Sequence, residues 1–287
     1  MNEEIEIEIN LMTENDLSSL IGLKNRLGWN QTESDLRRLL ELNPRGSFTA
    51  DYNGETVGTI TTTVYSNGLA WIGMMLVDPN YRRRGIAARL MNRALDYLYE
   101  TGVKTIKLDA TPEGFPLYKS MGFIVEILIE RWECFAGFNL KNNLQELDGS
   151  LLPAIYELDK IAFGADRSSL IDSLIISSNS KSAVSLSSAN NDLNGFALSR
   201  PGSNADYIGP IIAKDRKSAA DLLEGMLAQS SNKKVYVDFN TGFNLPPNYL
   251  IEHGFVKQRD LLRMSLGKKS GAGTSGLVFA IAGPELG

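Results

Sequence analysis

Cysteine and histidine are nearly missing from this chain. Cys134 is the single cysteine and His253 the single histidine among 287 residues. One thiol cannot close an intrachain disulfide, so a reducing cytoplasm is the expected setting. One of each also leaves too few ligands for a zinc site, and no metal is expected. Cys134 reads as a small half-buried side chain rather than a reactive thiol. His253, just before Gly254-Phe255, suits a contact at a helix C-terminus better than a catalytic base. No apolar run reaches the ~20 residues of a membrane span, and residues 1–9 lack the basic segment and apolar core of a signal peptide. Those residues alternate Ile and Glu, as a strand with one buried face would. A basic surface is lacking too. The net charge is −5, which argues against nucleic acid as a partner. What remains is a globular composition, 43% hydrophobic and 22% charged, long enough for one large or two ordinary domains.

The most informative stretch is 71–98. Residues 71–77 are apolar and bounded by turn residues, which predicts a buried strand. Asp78-Pro79-Asn80 ends it. Arg82, Arg83 and Arg84 follow, then Gly85, Ile86, Ala87 and Ala88. Leu90, Ala94, Leu95 and Leu98 fall at helical spacing, so a helix starts near Gly85. The first amides of a helix have no internal partner and point at whatever lies in front of them. Gly85 lets a phosphate approach with no side chain in the way, and the arginines add positive charge at the mouth. Downstream, 103–109 reads as a strand, 113–123 as a short helix ending at Gly122, and 124–130 as a further strand.

Two motifs therefore stand on the order of 30 residues apart: Val77-Asp78-Pro79-x-x-Arg82-x-x-Gly85-x-Ala87, and Leu117-Tyr118-x-x-x-Gly122-Phe123. Together they resemble the GNAT superfamily of acyl-CoA-dependent N-acetyltransferases. The resemblance implies an α/β chain of the α+β GNAT type, with acetyl-CoA as co-substrate. Residues 82–88 would hold its phosphates, and the backbone around Met75, Leu76 and Val77 would pair with the pantetheine arm. Tyr118 would act as general acid at the coenzyme sulfur. A phenol with a pKa near 10 is protonated at neutral pH and can donate. The acceptor would be a primary amine, most simply of a small metabolite. The alternative is an acetyl-CoA-binding sensor or scaffold without turnover.

Two departures from the family matter. Many relatives carry Glu or Asp on the strand that begins here at Trp71, and residues 69–77 contain no carboxylate. Asp109, at the end of a neighbouring strand, is then a candidate base, beside a water chain or a residue of the second half such as Asp238. Arg83 stands where relatives often have glycine. On the acceptor side, Thr13 and Thr32 open two helical stretches separated by Gly28-Trp29-Asn30, and Trp29 is a candidate substrate contact. Residues 47–52 and 56–65 read as a hairpin through Asn53-Gly54.

The second half repeats the first. Trp71-Ile72-Gly73 is echoed by Tyr207-Ile208-Gly209, Leu108-Asp109 by Val237-Asp238, and Gly122-Phe123 by Gly254-Phe255. Two tandem GNAT-like domains are expected, 1–137 and 138–287, joined through the polar stretch 139–150, each with a mixed sheet flanked by helices. The copies differ where the coenzyme would bind. The interval from Trp71 to Gly122 is 51 positions, and that from Tyr207 to Gly254 is 47. The shortened loop has no glycine and carries Asp215. Pro210 replaces Met74 and Leu250 replaces Tyr118. The second copy is therefore expected to bind no coenzyme, and to wall the acceptor pocket, pair with the first copy, or serve structure alone. A monomer or homodimer is expected.

Overall fold

The computed structural model describes residues 6–136, 144–230, 233–243, 248–268 and 273–287. The 137/138 division and the start of the expected connection lie outside them.

The first half runs β1 (Glu8–Leu11), α1 (Leu17–Arg26), α2 (Glu33–Leu42), β2 (Phe48–Tyr52), β3 (Glu55–Val64), β4 (Leu69–Val77), α3 (Ile86–Glu100), β5 (Thr105–Ala110), α4 (Phe115–Ser120) and β6 (Ile124–Phe135). The second half follows with α5 (Leu152–Phe163), α6 (Ser168–Ile175), β7 (Lys181–Leu186), β8 (Leu193–Arg200), β9 (Asp206–Ala213), α7 (Arg216–Gln229), β10 (Lys234–Asn240), α8 (Tyr249–Glu252), β11 (Val256–Gly267) and β12 (Val278–Ala280). Local chemistry explains the boundaries. Thr32 caps α2 by accepting from the Asp35 amide while the Asp35 carboxylate accepts from the Thr32 amide, a reciprocal pair. Asn53 and Gly54 both have positive φ, as a two-residue hairpin turn requires.

Among the described residues both halves share one twelve-stranded sheet, in the order β1-β2-β3-β4-β5-β11-β6-β10-β12-β9-β8-β7. The middle of that order is an exchange. In the repeat, β6 corresponds to β11 and β5 to β10. Yet β5 pairs with β11, and β10 pairs with β6, both antiparallel. Each half thus completes its sheet with the other half's last long strand. Helices α1, α2, α5 and α6 cover one face over a core that runs through both halves. Helices α3 and α4 pack on the other face of the first half, and α7 and α8 on that of the second.

Two identical bolts close the exchange. Arg263 on β11 donates two bonds to Asp109 on β5, from Nε and Nη2, both at 2.9 Å. Arg131 on β6 donates two to Asp238 on β10, at 2.7 and 2.5 Å. Arg131 lies nine residues after Gly122 and Arg263 nine after Gly254, so the pairs are repeats of each other. Bidentate geometry is what makes a buried guanidinium–carboxylate pair tolerable.

Candidate active site

The site opens where parallel strands β4 and β5 part. They pair over Leu69–Trp71 against Thr105–Lys107, and then diverge. A cleft of about 790 Å³ occupies the gap, lined by residues 72–77 on one side and Leu108 and Asp109 on the other. Strand β4 bulges here. Thr59 pairs with Leu76 and Thr61 with Gly73, so β4 spends one extra residue at Met74-Met75, and Met74 takes φ +46°. A bulge leaves backbone groups outside the ladder.

At the outer end of the cleft lies the N-terminus of α3. Gly85 caps it at φ +76°, and a Cβ added there would meet nothing within 4 Å. The turn therefore needs glycine for its conformation, not for room. The first turn of α3 holds no acidic residue, so its free amides and dipole face the cleft unopposed. Arg82, Arg83, Gly85, Ile86, Ala87 and Ala88 all line the cleft. Arg84 is exposed beside it and stacks over Tyr81. Arg83 sits at φ +63°, a conformation glycine takes more easily than arginine.

Tyr118, on α4, reaches the same cleft and is buried at 7% exposure. Its hydroxyl has no hydrogen-bond partner among the described residues. Burial raises its pKa above the ordinary phenol value, so it stays protonated at neutral pH. The ring packs beside Phe123 and over Gly114.

Asp109 also lines the cleft, but both of its oxygens accept from Arg263. Burial pushes its carboxyl up while Arg263 pulls it back. The matching bond of Asp238 to Arg131 occurs in the second half, whose loop before α7 has no glycine. This geometry argues that both aspartates join the halves, and it leaves neither free to accept a proton. His253 is likewise a structural contact: Nδ1 lies 2.7 Å from the Tyr249 carbonyl and Nε2 3.1 Å from Glu224. Burial pushes the Cys134 thiol up to about 12, so it is a poor nucleophile.

The remaining lining holds Trp29, expected from the sequence as a substrate contact, together with residues that sequence reasoning missed. Leu27 and Trp29, between α1 and α2, line the cleft together with Arg259 of β11, Pro284 and Glu285. The segment 281–287 is clamped from both halves. Trp71 Nε1 donates to the Pro284 carbonyl at 2.9 Å, Tyr65 to that of Leu286 at 2.7 Å, and Arg200 Nη1 to that of Ala282 at 2.8 Å. It crosses β4 at Gly73, where an added Cβ would come within 2.7 Å of Glu285 Cα. Glu285 thus lines the cleft beside a strand that has no carboxylate of its own. Gln31 donates to its Oε2 at 2.9 Å and Arg200 to its Oε1 at 3.0 Å. Burial pushes it above the usual carboxylate value, against the pull of Arg200.

The equivalent cleft of the second half is filled by the chain itself. Strands β9 and β10 pair over residues 206–208 and 235–237. Beyond that, β12 enters between them, pairing with Ile211 and Ile212 on one side and Phe239 on the other. Phe279 packs edge-on against Phe239 and Phe243. The N-terminus of α7 is also taken, because Asp215 accepts from the Ser218 amide at 2.8 Å. Leu250, in the place of Tyr118, is buried.

Known proteins agree with this geometry. The sequence model of the acetyltransferase (GNAT) family matches residues 15–123, and that of the acetyltransferase (GNAT) domain matches 155–280. The chain is 29% identical to the uncharacterized N-acetyltransferase YitH of Bacillus subtilis (strain 168), over 98% of both chains. It is 23% identical to the holothin acyltransferase of Pseudoalteromonas sp. (strain SANK 73390), over 90% of this chain and 87% of that one. A candidate acetyltransferase from Pyrococcus horikoshii shares the fold, with a TM-score of 0.80 at 24% identity, over 100% of this chain and 99% of that one. With both halves matched and the fold shared end to end, the chain belongs to the GNAT family of N-acetyltransferases, with one GNAT domain in each half.

Proposed function

We propose that the first half transfers an acetyl group from acetyl-CoA directly to a primary amine of a small metabolite. The observation that carries this reading is one cleft that joins an open helix N-terminus, a bulged strand and a protonated, unpartnered tyrosine. Residues 82–88 would hold the phosphates through backbone amides and arginine charge. The backbone at Met75, Leu76 and Val77 would align the pantetheine arm, and positioning would supply much of the rate. Tyr118 would give its proton to the departing sulfur as the N–C bond forms and the C–S bond breaks.

The amine's proton must leave as well. Of the cleft carboxylates, Asp109 is bonded twice to Arg263 and Glu113 is exposed at the mouth. Glu285, buried against β4, is held by one guanidinium bond from Arg200 and one neutral amide bond from Gln31 rather than by a bidentate guanidinium, which makes it the better base on this reading. On this reading 1–137 is the catalytic unit, and 138–287 walls the acceptor side through β11 and residues 281–287. The setting remains the reducing cytoplasm expected from a single cysteine.

The test is a panel of primary amines with acetyl-CoA, following thiol release and acetylated product. Saturable transfer to at least one amine supports the reading. Acetyl-CoA binding without transfer across a broad panel would favour a sensor instead. In the same assay Glu285→Gln should lower kcat by about 10²-fold or more. A base works only when deprotonated, so wild-type kcat should rise with pH through a value above the ordinary carboxylate range. The Gln variant should lose that limb. A limb that survives in Glu285→Gln assigns the base elsewhere.

A further inference from the structure

We propose that the acceptor amine carries an anionic group, a carboxylate or a phosphate, and that Arg259 holds it. This rests on the acetyl-transfer reading and narrows its substrate class.

Strand β11 alternates sides, so Arg259, Leu261 and Arg263 share one face. Arg263 lies deepest, bonded to Asp109 and stacked 4.4 Å from the Trp71 ring. Leu261 is buried in the core common to both halves. Arg259 comes next and opens onto the cleft, beyond a register shift between Lys257 and Arg259. A bulge at that point re-aims the side chain. Arg259 pairs across the strands with Arg131, a second cation whose charge is already taken up by Asp238.

What sets Arg259 apart is its lack of a partner. Its Nε is cut off from solvent and has no hydrogen-bond acceptor. No carboxylate among the described residues pairs with its guanidinium, whereas Arg38, Arg131, Arg167, Arg200 and Arg263 each have one. A half-buried cation beside another cation is costly to keep unpaired. An anion entering the cleft would relieve that cost, and the guanidinium fork fits carboxylate and phosphate alike.

The repeat supplies an internal control. Arg259 lies five residues after Gly254, and the residue five after Gly122 is Ile127. Ile127 packs against the shared core, facing the half whose cleft is filled by β12. The cation therefore occurs on the exchanged strand that faces the open cleft, and an apolar residue on the one that faces the filled cleft. Arg259 also stands on β11, separated in the sheet from β4 and the arginine loop that follows it by β5, and lines the cleft with Trp29 and Glu285, which assigns it to the acceptor rather than to the coenzyme.

The experiment uses matched amines: an α-amino acid against its amide, and an aminoalkyl phosphate against the corresponding amino alcohol. The wild type should favour the charged member of at least one pair by about tenfold to a hundredfold in kcat/KM, carried mainly by KM. The pair that shows the preference separates carboxylate from phosphate. Arg259→Met should bring the ratio close to one, and Arg259→Lys should restore part of it. Calorimetric titration of the same amines into protein saturated with free coenzyme A reads the preference without turnover. Charged amines that bind in an Arg259-dependent way, with none acetylated, would leave this proposal standing and remove the transferase reading. Acetylation with the same charged-to-neutral ratio in wild type and Arg259→Met would overturn the proposal alone. Loss of acetyl-CoA affinity as the main effect of Arg259→Met would overturn it too.

Discussion

Tyr118→Phe is expected to lower kcat by about 10²- to 10⁴-fold while acetyl-CoA still binds. The variant removes one oxygen and keeps the ring. That ring packs beside Phe123 and over Gly114, so the core around α4 should hold. The hydroxyl bonds to none of the described residues, and its removal leaves no orphaned partner and costs little stability. Burial keeps the phenol protonated well past neutral pH, so the proton is available wherever the coenzyme sulfur departs. If Tyr118 only fills space, Phe will do that equally well and kcat will stay close to wild type. The measurement is steady-state kinetics on the best amine of the panel, paired with a thermal-shift titration of acetyl-CoA.

Asp238→Ala is expected to destabilise the chain by about 3–5 kcal/mol. Arg131 would lose both of its bonds to Asp238, and the Tyr207 hydroxyl would lose its 3.0 Å bond to the same carboxylate. The guanidinium stays 5% exposed and cannot turn to water without opening the sheet between β6 and β10. Against a typical total of about 5–15 kcal/mol, such a loss leaves little of the fold. Replacing both partners with apolar residues of similar volume should recover much of it, because no charge is then left buried alone. Chemical denaturation checks both variants. A loss below about 1 kcal/mol for Asp238→Ala would mean that the exchanged strands do not depend on the ion pair.

Much of the architecture was legible from sequence. The strand at 71–77, the helix from Gly85, the hairpin through Asn53-Gly54 and the repeat all follow from period, turn chemistry and self-similarity. The strand expected at 124–130 continues to Phe135, because its outer part pairs with β10 of the other half. That pairing could not be read. β6 and β11 are both strands by any local criterion, and nothing in a strand's own residues states which neighbour it joins. The same blindness explains Asp109. A carboxylate at the end of a strand beside the cleft reads as a base until Arg263, 154 residues away, is seen to hold both oxygens. Glu285 had no signal at all, because its place depends on where segment 281–287 crosses β4. Arg259 did leave one. The repeat aligns it with Ile127, and a cation opposite an apolar residue is the kind of asymmetry that marks Gly85 and Tyr118 against their own counterparts.

On the proposed reading, the fold occurs twice in this chain and the coenzyme site once. In the first half the cleft is open, Gly85 caps a helix with free amides, and arginines surround it. In the second half β12 occupies the cleft and Asp215 takes up the helix N-terminus. Calorimetric titration of acetyl-CoA at low ionic strength tests this most directly. Gly85→Glu is the companion variant. It lies in open space, strains the turn by about 1–2 kcal/mol, and sets a negative charge where the phosphates would bind. The predicted result is one acetyl-CoA per chain for the wild type and no binding by the folded Gly85→Glu protein. Two molecules per chain, or binding that survives unchanged in the variant, would contradict it.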